Sequence, residues 1–466
     1  MQSSIVQSSS ISGANRWDFE YFDPEYRTTV DLIQSSKWPI KRLDEIVSGL
    51  TDGQHGYLDH LSSGVPLLRT SNVFENEIRL DNVRYIAPEV HAEIKRSQLR
   101  PGDILLTTIG SIGLAAVVGD AFGEANINQN LVKMTPNPEV NSWYLALFFN
   151  SRFGRIQTER TASKSVVPIV NYTRLRDVLI PLPPRSVQNH IAQVMQDAYA
   201  TRQARLSEAE TLHNEIERFL LRNLGIDLEE ISYQRQFVIK LGNLNGYRFD
   251  VDFHLPQNEQ QYMALKNAKD CELVLLGSLI KQIANGATPK GANYLAEGIP
   301  FFRIQNVTPD GIDMSDVRYI SRATHDEMRR SQTKPGDLLM TITGRVGTAA
   351  RVPDHVREGN INQHLVILRL IPESVDTDYL AAIINSPVVG FQIQHRTTGT
   401  TRIALDYKEI RSLVIPIPSV ELQRKLASEL TRRRSEVVEL RSEADAVVVE
   451  AKSRVEHIIL GEESVA

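Results

Sequence analysis

Two short runs in this chain concentrate side-chain amides: Asn126-Ile127-Asn128-Gln129-Asn130 and Asn360-Ile361-Asn362-Gln363-His364. Two more place an arginine beside small polar residues: Arg69-Thr70-Ser71-Asn72 and Arg303-Ile304-Gln305-Asn306. Amides and guanidinium groups suit the base edges of a major groove, Asn or Gln against adenine and Arg against guanine. Ser, Thr and Lys can hold phosphates and set register on a duplex. The same amides could instead brace loops from within, because short polar side chains bond readily to nearby backbone. Nothing else forms a catalytic constellation. There is no G-x-x-x-x-G-K-[ST] phosphate loop. Asn285-Gly286-Ala287-Thr288-Pro289-Lys290-Gly291 is only superficially similar, and its proline and strand-poor setting mark a surface loop. A Gly-rich nucleotide or methyl-donor turn, an Asn-Pro-Pro-aromatic motif and a Gly-x-Ser-x-Gly elbow are all missing. His55 and His60 have no second Cys or His pair to complete a metal site and read as loop polar groups.

The clusters recur because the chain is duplicated. Ser97-Gln98-Leu99-Arg100-Pro101-Gly102-Asp103-Ile104-Leu105-Leu106-Thr107 returns as Ser331-Gln332-Thr333-Lys334-Pro335-Gly336-Asp337-Leu338-Leu339-Met340-Thr341, at an offset of 234. Carried on to Gly113 and Gly347, 9 of 17 paired positions are identical. The offset also relates Val83-Arg84-Tyr85 to Val317-Arg318-Tyr319 and Asn126-Ile127-Asn128-Gln129 to Asn360-Ile361-Asn362-Gln363. One offset kept over that distance means two copies of one domain. The repeated Pro-Gly-Asp is a turn rather than a catalytic aspartate: Pro fixes φ, Gly takes the unusual φ, and Asp leads into a strand.

A reader of two different targets should differ between copies where it reads. The shared Asn-Ile-Asn-Gln therefore weighs toward a structural role, and the divergent loops are the better candidates. Gln54, His55 and Tyr57 stand roughly opposite Thr288, Lys290 and Tyr294, and Ser111 corresponds to Arg345. Ser163, Lys164 and Ser165 lie near the place of Thr398, Thr400, Thr401 and Arg402. With Arg69, Ser71, Asn72, Arg303, Gln305 and Asn306 they make up the candidate DNA-binding set. No residue is assigned to catalysis or to a metal.

Composition fits this reading. The chain has 466 residues, 41% hydrophobic and 23% charged, ordinary for folded domains with cores. Its formal charge of −5 argues against coating nucleic acid by bulk charge, although 52 Lys and Arg leave room for local basic surfaces. One cysteine, Cys271, excludes a disulfide framework and suits a cytoplasmic setting. No apolar run nears the roughly 20 residues of a membrane span, and no signal peptide opens the chain.

Each copy runs in one order. A polar-aromatic segment (Arg16-Trp17-Asp18-Phe19-Glu20-Tyr21-Phe22; Arg248-Phe249-Asp250-Val251-Asp252-Phe253) leads into a globular stretch. Strands are expected at 104–109 and 131–134, and short buried helices at 144–149 and 379–384. Proline-punctuated strands follow, Val178-Leu179-Ile180-Pro181-Leu182-Pro183-Pro184 and Val414-Ile415-Pro416-Ile417-Pro418. Residues 186–223 contain no Pro or Gly, and Ile191, Met195, Ala198, Ala209, Leu212, Ile216 and Phe219 trace a narrow seam interrupted by Arg202 and Arg205. A second seam runs through Leu422, Leu426, Leu430, Val437, Leu440, Ala444, Val447, Ala451, Val455 and Ile458. Each helix would be about 55 to 60 Å long at ~1.5 Å per residue, and antiparallel pairing within the chain buries both stripes. The alternative is pairing between two copies of the chain. The expected fold is α+β: two similar globular domains of mixed β-structure with short helices, separated by two long antiparallel coiled-coil helices in a pseudo-two-fold repeat. The expected divisions are a disordered tail (1–15), domain 1 (16–185), helix 1 (186–225), a linker (226–246), domain 2 (247–419), helix 2 (420–460) and a short tail (461–466).

Together these features resemble the DNA-specificity subunit of type I restriction–modification enzymes, over nearly the whole chain beyond its N-terminal tail. Pro-Gly-Asp-Ile-Leu-Leu, Asn-Ile-Asn-Gln, and Ile180-Pro181-Leu182-Pro183-Pro184 with Gln188 opening a long helix carry the resemblance most specifically. The second copy keeps Ile415-Pro416-Ile417-Pro418 and Gln423, with Ser419 where the family often has proline. The resemblance implies a non-catalytic subunit that reads a bipartite, asymmetric site on double-stranded DNA and docks two methyltransferase subunits, with restriction subunits joining them. S-adenosylmethionine, Mg and ATP would then be bound by those partners only. Alternatives are a methylation-only or phage-exclusion system, a fused nuclease–methyltransferase partner, a protein-interaction scaffold, and an enzyme with an unrecognised site.

Overall fold

The computed structural model describes residues 24–56, 58–120, 122–163, 168–171, 173–228, 236–238, 256–289, 291, 294–396 and 404–463. The expected N-terminal tail, both polar-aromatic segments and most of the linker lie outside them. The chain forms two compact units, Met1–Arg205 with Ser442–Ala466, and Leu206–Arg441. Both divisions fall within long helices.

In the first unit an antiparallel sheet has the order β1–β4–β2–β3, where β1 is Val47–Asp52, β2 Ile104–Thr107, β3 Ala115–Val117 and β4 Leu131–Pro136. β2 is buried at every position, which explains its unbroken apolar run. Its residues still alternate. Ile104 and Leu106 join a core with Val132, Met134 and the helices, while Leu105 joins Leu131, Ala116 and Ile127 on the other face. A small mixed sheet covers that second face: Val65–Leu68 pairs antiparallel with Arg84–Ile86 and parallel with Asn126–Ile127. The helix side is filled by α1, Ser142–Asn150, buried from Tyr144 through Phe149 and capped by the Asn141 side chain on the N–H groups of Trp143 and Tyr144.

The second unit repeats the plan. Its sheet is β5–β8–β6–β7, with β5 Ile280–Asn285, β6 Leu338–Thr341, β7 Ala349–Arg351 and β8 Leu365–Leu370. Leu338, Met340, Val366 and Leu368 face one core, and Leu339, Leu365 and Ile367 the other. Ile299–Phe302 lies between Arg318–Ile320 and Gly359–Ile361 in the covering sheet.

The Pro-Gly-Asp segments are turns, with Gly102 at φ 85° and Gly336 at φ 83°. Asp103 is buried, taking the Arg100 N–H at 2.8 Å and the Thr135 hydroxyl at 2.6 Å. Asp337 takes the Lys334 N–H at 2.9 Å and pairs with Arg369 at 3.1 Å. The strand expected through residue 109 stops at Thr107. There the Gly113 N–H returns to the Thr107 carbonyl, and the Thr107 hydroxyl donates to the Ser111 carbonyl at 2.5 Å.

The long helices are α2, Arg185–Asn223, and α4, Val420–Leu460; α3, Thr377–Ile384, is the second copy of α1. In the first unit Ile191, Met195 and Ala198 of α2 share a core with Val448, Ala451, Val455 and Ile458 of α4. The arginines that broke the seam reach across it. Arg202 meets Asp445 at 3.2 Å and Arg205 meets Glu443, so numbers rise on one helix as they fall on the other. In the second unit Ala209, Ile216 and Leu220 pack with Leu426, Leu430 and Val437, and the Arg433 guanidinium lies 4.4 Å from the Phe219 ring centroid. No helix among the described residues is long and apolar enough to cross a membrane.

Buried amides join each globular part to its helix. Gln188, 1% exposed, accepts from the Asn141 N–H at 2.7 Å and donates to the carbonyls of Pro183 (2.9 Å) and Glu139 (3.2 Å). Gln423 accepts from the Asp376 N–H at 2.9 Å and donates to the Pro418 carbonyl at 2.8 Å. The Tyr144 and Tyr379 hydroxyls donate to the carbonyls of Pro181 and Pro416. A hairpin adds a second tie in each unit. Asn76 donates to the Tyr199 hydroxyl at 2.8 Å and Glu75 pairs with Lys452 at 2.6 Å; Asp310 lies 3.8 Å from Arg434. Burial pushes the Tyr199 phenol up to about 12.

Candidate nucleic-acid interface

Each sheet has two unlike ends. In the second unit, Gln423 in the first turn of α4 holds Asp376, beyond the end of β8. Residues 363–364 precede the start of β8, six residues or about 20 Å away along the strand. The loops after β5 and β6 reach that same far end. The Gly286 N–H bonds the Leu365 carbonyl, the Ile342 N–H bonds the His364 carbonyl, and Thr343 bridges Ala404. The first unit does likewise: Gln54 bridges Asn128 and Ile109 bridges Ile169. The described parts of the divergent loops, around Gln54 and Ser111 in one unit and Thr288 and Arg345 in the other, thus lie at the end of each sheet away from its long helix.

Glycine permits the convergence. A Cβ on Gly53 would lie 2.2 Å from the Asn128 carbonyl oxygen, and one on Gly286 1.8 Å from that of Asn362. Only a residue without a side chain lets the loop cross the Asn-Ile-Asn-Gln backbone so closely. The crossing delivers Gln54 and His55 in one copy and Thr288 in the other to the surface. Gln54 is half-buried, its amide donating to the His55 carbonyl at 3.0 Å, and His55 is exposed. Ser71, Ser111, Thr288, Gln305 and Arg345 are exposed. The Arg345 guanidinium donates to the Ile304 carbonyl at 3.2 Å, which joins its loop to the Arg303–Asn306 turn.

Two candidates are corrected. Asn72 and Asn306 are buried and cannot touch a base. Asn72 accepts from the Arg69 N–H at 3.1 Å and donates to the carbonyls of Arg79 and Asp81 at 3.0 and 3.2 Å; Asn306 accepts from Arg303 and donates to Asp313. Arg69 and Arg303 fold back along the chain, donating to the carbonyls of Asn82 at 3.0 Å and Asp316 at 2.6 Å. Arg303 also pairs with the Asp316 carboxylate at 3.0 Å, so its charge is already answered. Tyr57, Lys164, Lys290, Thr398, Thr400, Thr401 and Arg402 lie outside the described residues, as does the side chain of Ser163.

The shared amide motif divides by position. Asn126 and Asn360 are fully buried. Asn126 meets His91 Nδ1 at 2.5 Å and donates to the Ser97 hydroxyl at 2.7 Å; Asn360 meets His325 at 2.6 Å and Ser331 at 2.9 Å. A desolvated amide left unpaired would cost about 1–3 kcal/mol, so these are interior braces. Gln129 and Gln363, three residues on, are exposed at the loop end.

Residues not singled out from the sequence also gather here. Asp52, at the end of β1, is buried, pairs with His55 at 2.5 Å and meets Arg96, which also donates to the Thr51 hydroxyl at 2.6 Å. In the second unit Asn285 ends β5 and accepts from Tyr407 instead. The Asp/Asn difference at matched strand ends is a signal that aligning the copies through β1 and β5 would have shown. Thr343 and His364, 2.6 Å apart, replace Ile109 and Asn130.

The fold defines a duplicated protein with one sheet-and-loop plan in each unit, and comparison with known proteins indicates its class. Residues 36–218 match the family described as type I restriction modification DNA specificity domain. The chain is 21% identical over 423 residues to the type I restriction enzyme EcoBI specificity subunit of Escherichia coli, covering 88% of this chain and 82% of that one. It is 21% identical over 435 residues to the putative MjaX specificity subunit of Methanocaldococcus jannaschii, covering 91% and 92%. A solved chain from work on complex assembly and conformational transition of the type I R-M system shares the fold, with a TM-score of 0.53, 17% identity and coverage of 91% and 96%. Residues 36–218 thus match a type I restriction modification DNA specificity domain, and over about nine-tenths of its length the chain is similar to type I specificity subunits.

Proposed function

We propose that the chain reads a bipartite, asymmetric target on double-stranded DNA, one half-site per unit. The observation that carries this is one frame built twice, with different side chains at the loop end: Gln54, His55 and Ser111 in one unit, Thr288 and Arg345 in the other. Matching cores present unlike surfaces, so the two half-sites should be unrelated in sequence. Each loop end would enter a major groove, where all four base pairs are distinguishable. The paired helices α2 and α4 would fix the unread gap and dock two methyltransferase subunits, with restriction subunits joining the complex. S-adenosylmethionine, Mg and ATP belong to those partners in this reading. The net charge of −5 gives this chain little bulk attraction for phosphate, so cationic partners would supply much of the clamp.

Sequencing modified bases in the host, with and without the gene, tests this. The expected loss on deletion is a motif of two unrelated half-sites at constant spacing. A palindromic or continuous motif, or no change, refutes it. Exchanging residues 16–185 for another such domain should change one half-site only.

A further inference from the structure

We propose that Gln363 reads adenine for the second unit, with Thr288 and His364 as its positioning residues. This inference rests on the bipartite DNA-reading function above and names one side chain within it. Gln363 is exposed at the loop end, where two side chains meet its amide. The Thr288 hydroxyl, from the loop that crosses at Gly286, donates to Gln363 Oε1. The Gln363 amide nitrogen lies 3.1 Å from His364 Nε2. An amide nitrogen can only donate, so His364 Nε2 is the acceptor and its Nδ1 carries the proton. That proton is then directed at the Thr343 hydroxyl 2.6 Å away. The chain of bonds thus runs in one direction, from Thr288 through Gln363 and His364 to Thr343.

A primary amide offers two N–H groups and two lone pairs. The chain uses one of each and leaves one of each on an exposed group. One donor and one acceptor are what the N7 and N6 edge of adenine requires. A long side chain ordinarily loses rotamer entropy when it engages a base. Here both ends of the amide are already engaged, which lowers that cost. The first unit lacks the device. Ala287 and Thr288 correspond to Gln54 and His55 past the crossing glycine, and Asn130 and Ile109 stand in place of His364 and Thr343. Among the described residues Gln129 has no side-chain partner. The motif is shared, but the amide is held in one copy only.

The test is complementation of a gene deletion in the host with variants of the full chain, followed by sequencing of modified bases. Exchange of residues 16–185 marks which half-site belongs to which unit. Gln363→Ala should relax one position of the second unit's half-site, lowering preference for adenine there about 5- to 150-fold, while the other half-site stays intact. Gln363→Glu, which keeps an acceptor but loses the donor, should relax the same position. Thr288→Val should weaken discrimination at that position, and Thr288→Ser should restore it. Unchanged base preference in both Gln363 variants overturns the proposal. So does loss of modification at every site, which is the signature of a bracing role. A wild-type chain that yields no two-part motif overturns the bipartite reading itself, a separate outcome visible before any variant is made.

Discussion

Replacing Gln188 with alanine should loosen the joint between the first globular part and its long helix. Gln188 is 1% exposed and makes three hydrogen bonds, to the Asn141 N–H and the carbonyls of Glu139 and Pro183. Truncation leaves the Asn141 N–H without its acceptor, at a cost of about 1–3 kcal/mol, and removes both bonds to the carbonyls. The vacated space adds to this, giving a total of about 2–4 kcal/mol against a typical stability of about 5–15 kcal/mol. The assay is built into the sequence. All three tryptophans, Trp17, Trp38 and Trp143, belong to the first unit, and Trp143 opens α1 beside the joint. Tryptophan fluorescence during urea unfolding therefore reports that unit alone. At a slope of about 2–3 kcal/mol per molar urea the midpoint should fall by roughly 1 M. Gln423→Ala should cost the second unit a similar amount, seen by circular dichroism. A Gln188→Ala shift below about 0.5 kcal/mol would show that the buried bonds do not hold the joint.

Arg345→Ser installs the first unit's residue in the second. It should alter only the second unit's half-site in a modified-base map, and a change in both half-sites would contradict modular reading. Asp337→Ala should cost about 2–4 kcal/mol, because it strips the buried carboxylate from Arg369 and the Lys334 N–H; surviving complex should keep the wild-type motif, as expected of a turn residue. Glu429 is held down to about 2, first by its hydrogen bonds to Arg432 and Arg433, from an ordinary value of 4.5. A depressed folded-state value stabilises above pH 4.5 and loses that contribution as pH falls toward 2. Glu429→Gln should flatten the pH dependence of urea stability in that window, modestly because its partner Arg432 is exposed and solvent screens the pair.

The repeat and both long helices were legible in the sequence because each rests on local rules, whereas the joints made by Gln188 and Gln423 emerge only from tertiary contacts. Proline ends the strand before each helix, no Pro or Gly interrupts residues 186–223, and the seam spacing is helical. Pro-Gly-Asp read correctly as a turn, since glycine at a positive φ is a local demand. Burial of single polar residues was not legible. Asn72 and Asn306 have the composition of base readers, yet each caps a tight turn and bonds carbonyls seven residues on. Arg69 and Arg303 look free in the sequence, but each reaches a carbonyl thirteen residues away. The Asp52–His55–Arg96 group was missed because Arg96 joins through tertiary contact, with nothing in the local spacing to announce it.

The Asn-Ile-Asn-Gln motif shows why a duplicated reader can keep its frame while changing its target. Its first residue is interior in both copies, locked to His91 and Ser97 or to His325 and Ser331, and any change there disturbs a buried network. Its last residue is at the surface three positions later, where replacement costs the core nothing. Selection on folding therefore holds the interior half constant. What distinguishes the copies is the company the surface half keeps: Thr288, His364 and Thr343 in one unit, His55, Asn130 and Ile109 in the other. If specificity lies in those neighbours, exchanging them between units at matched positions should carry base preference with them while both cores fold unchanged.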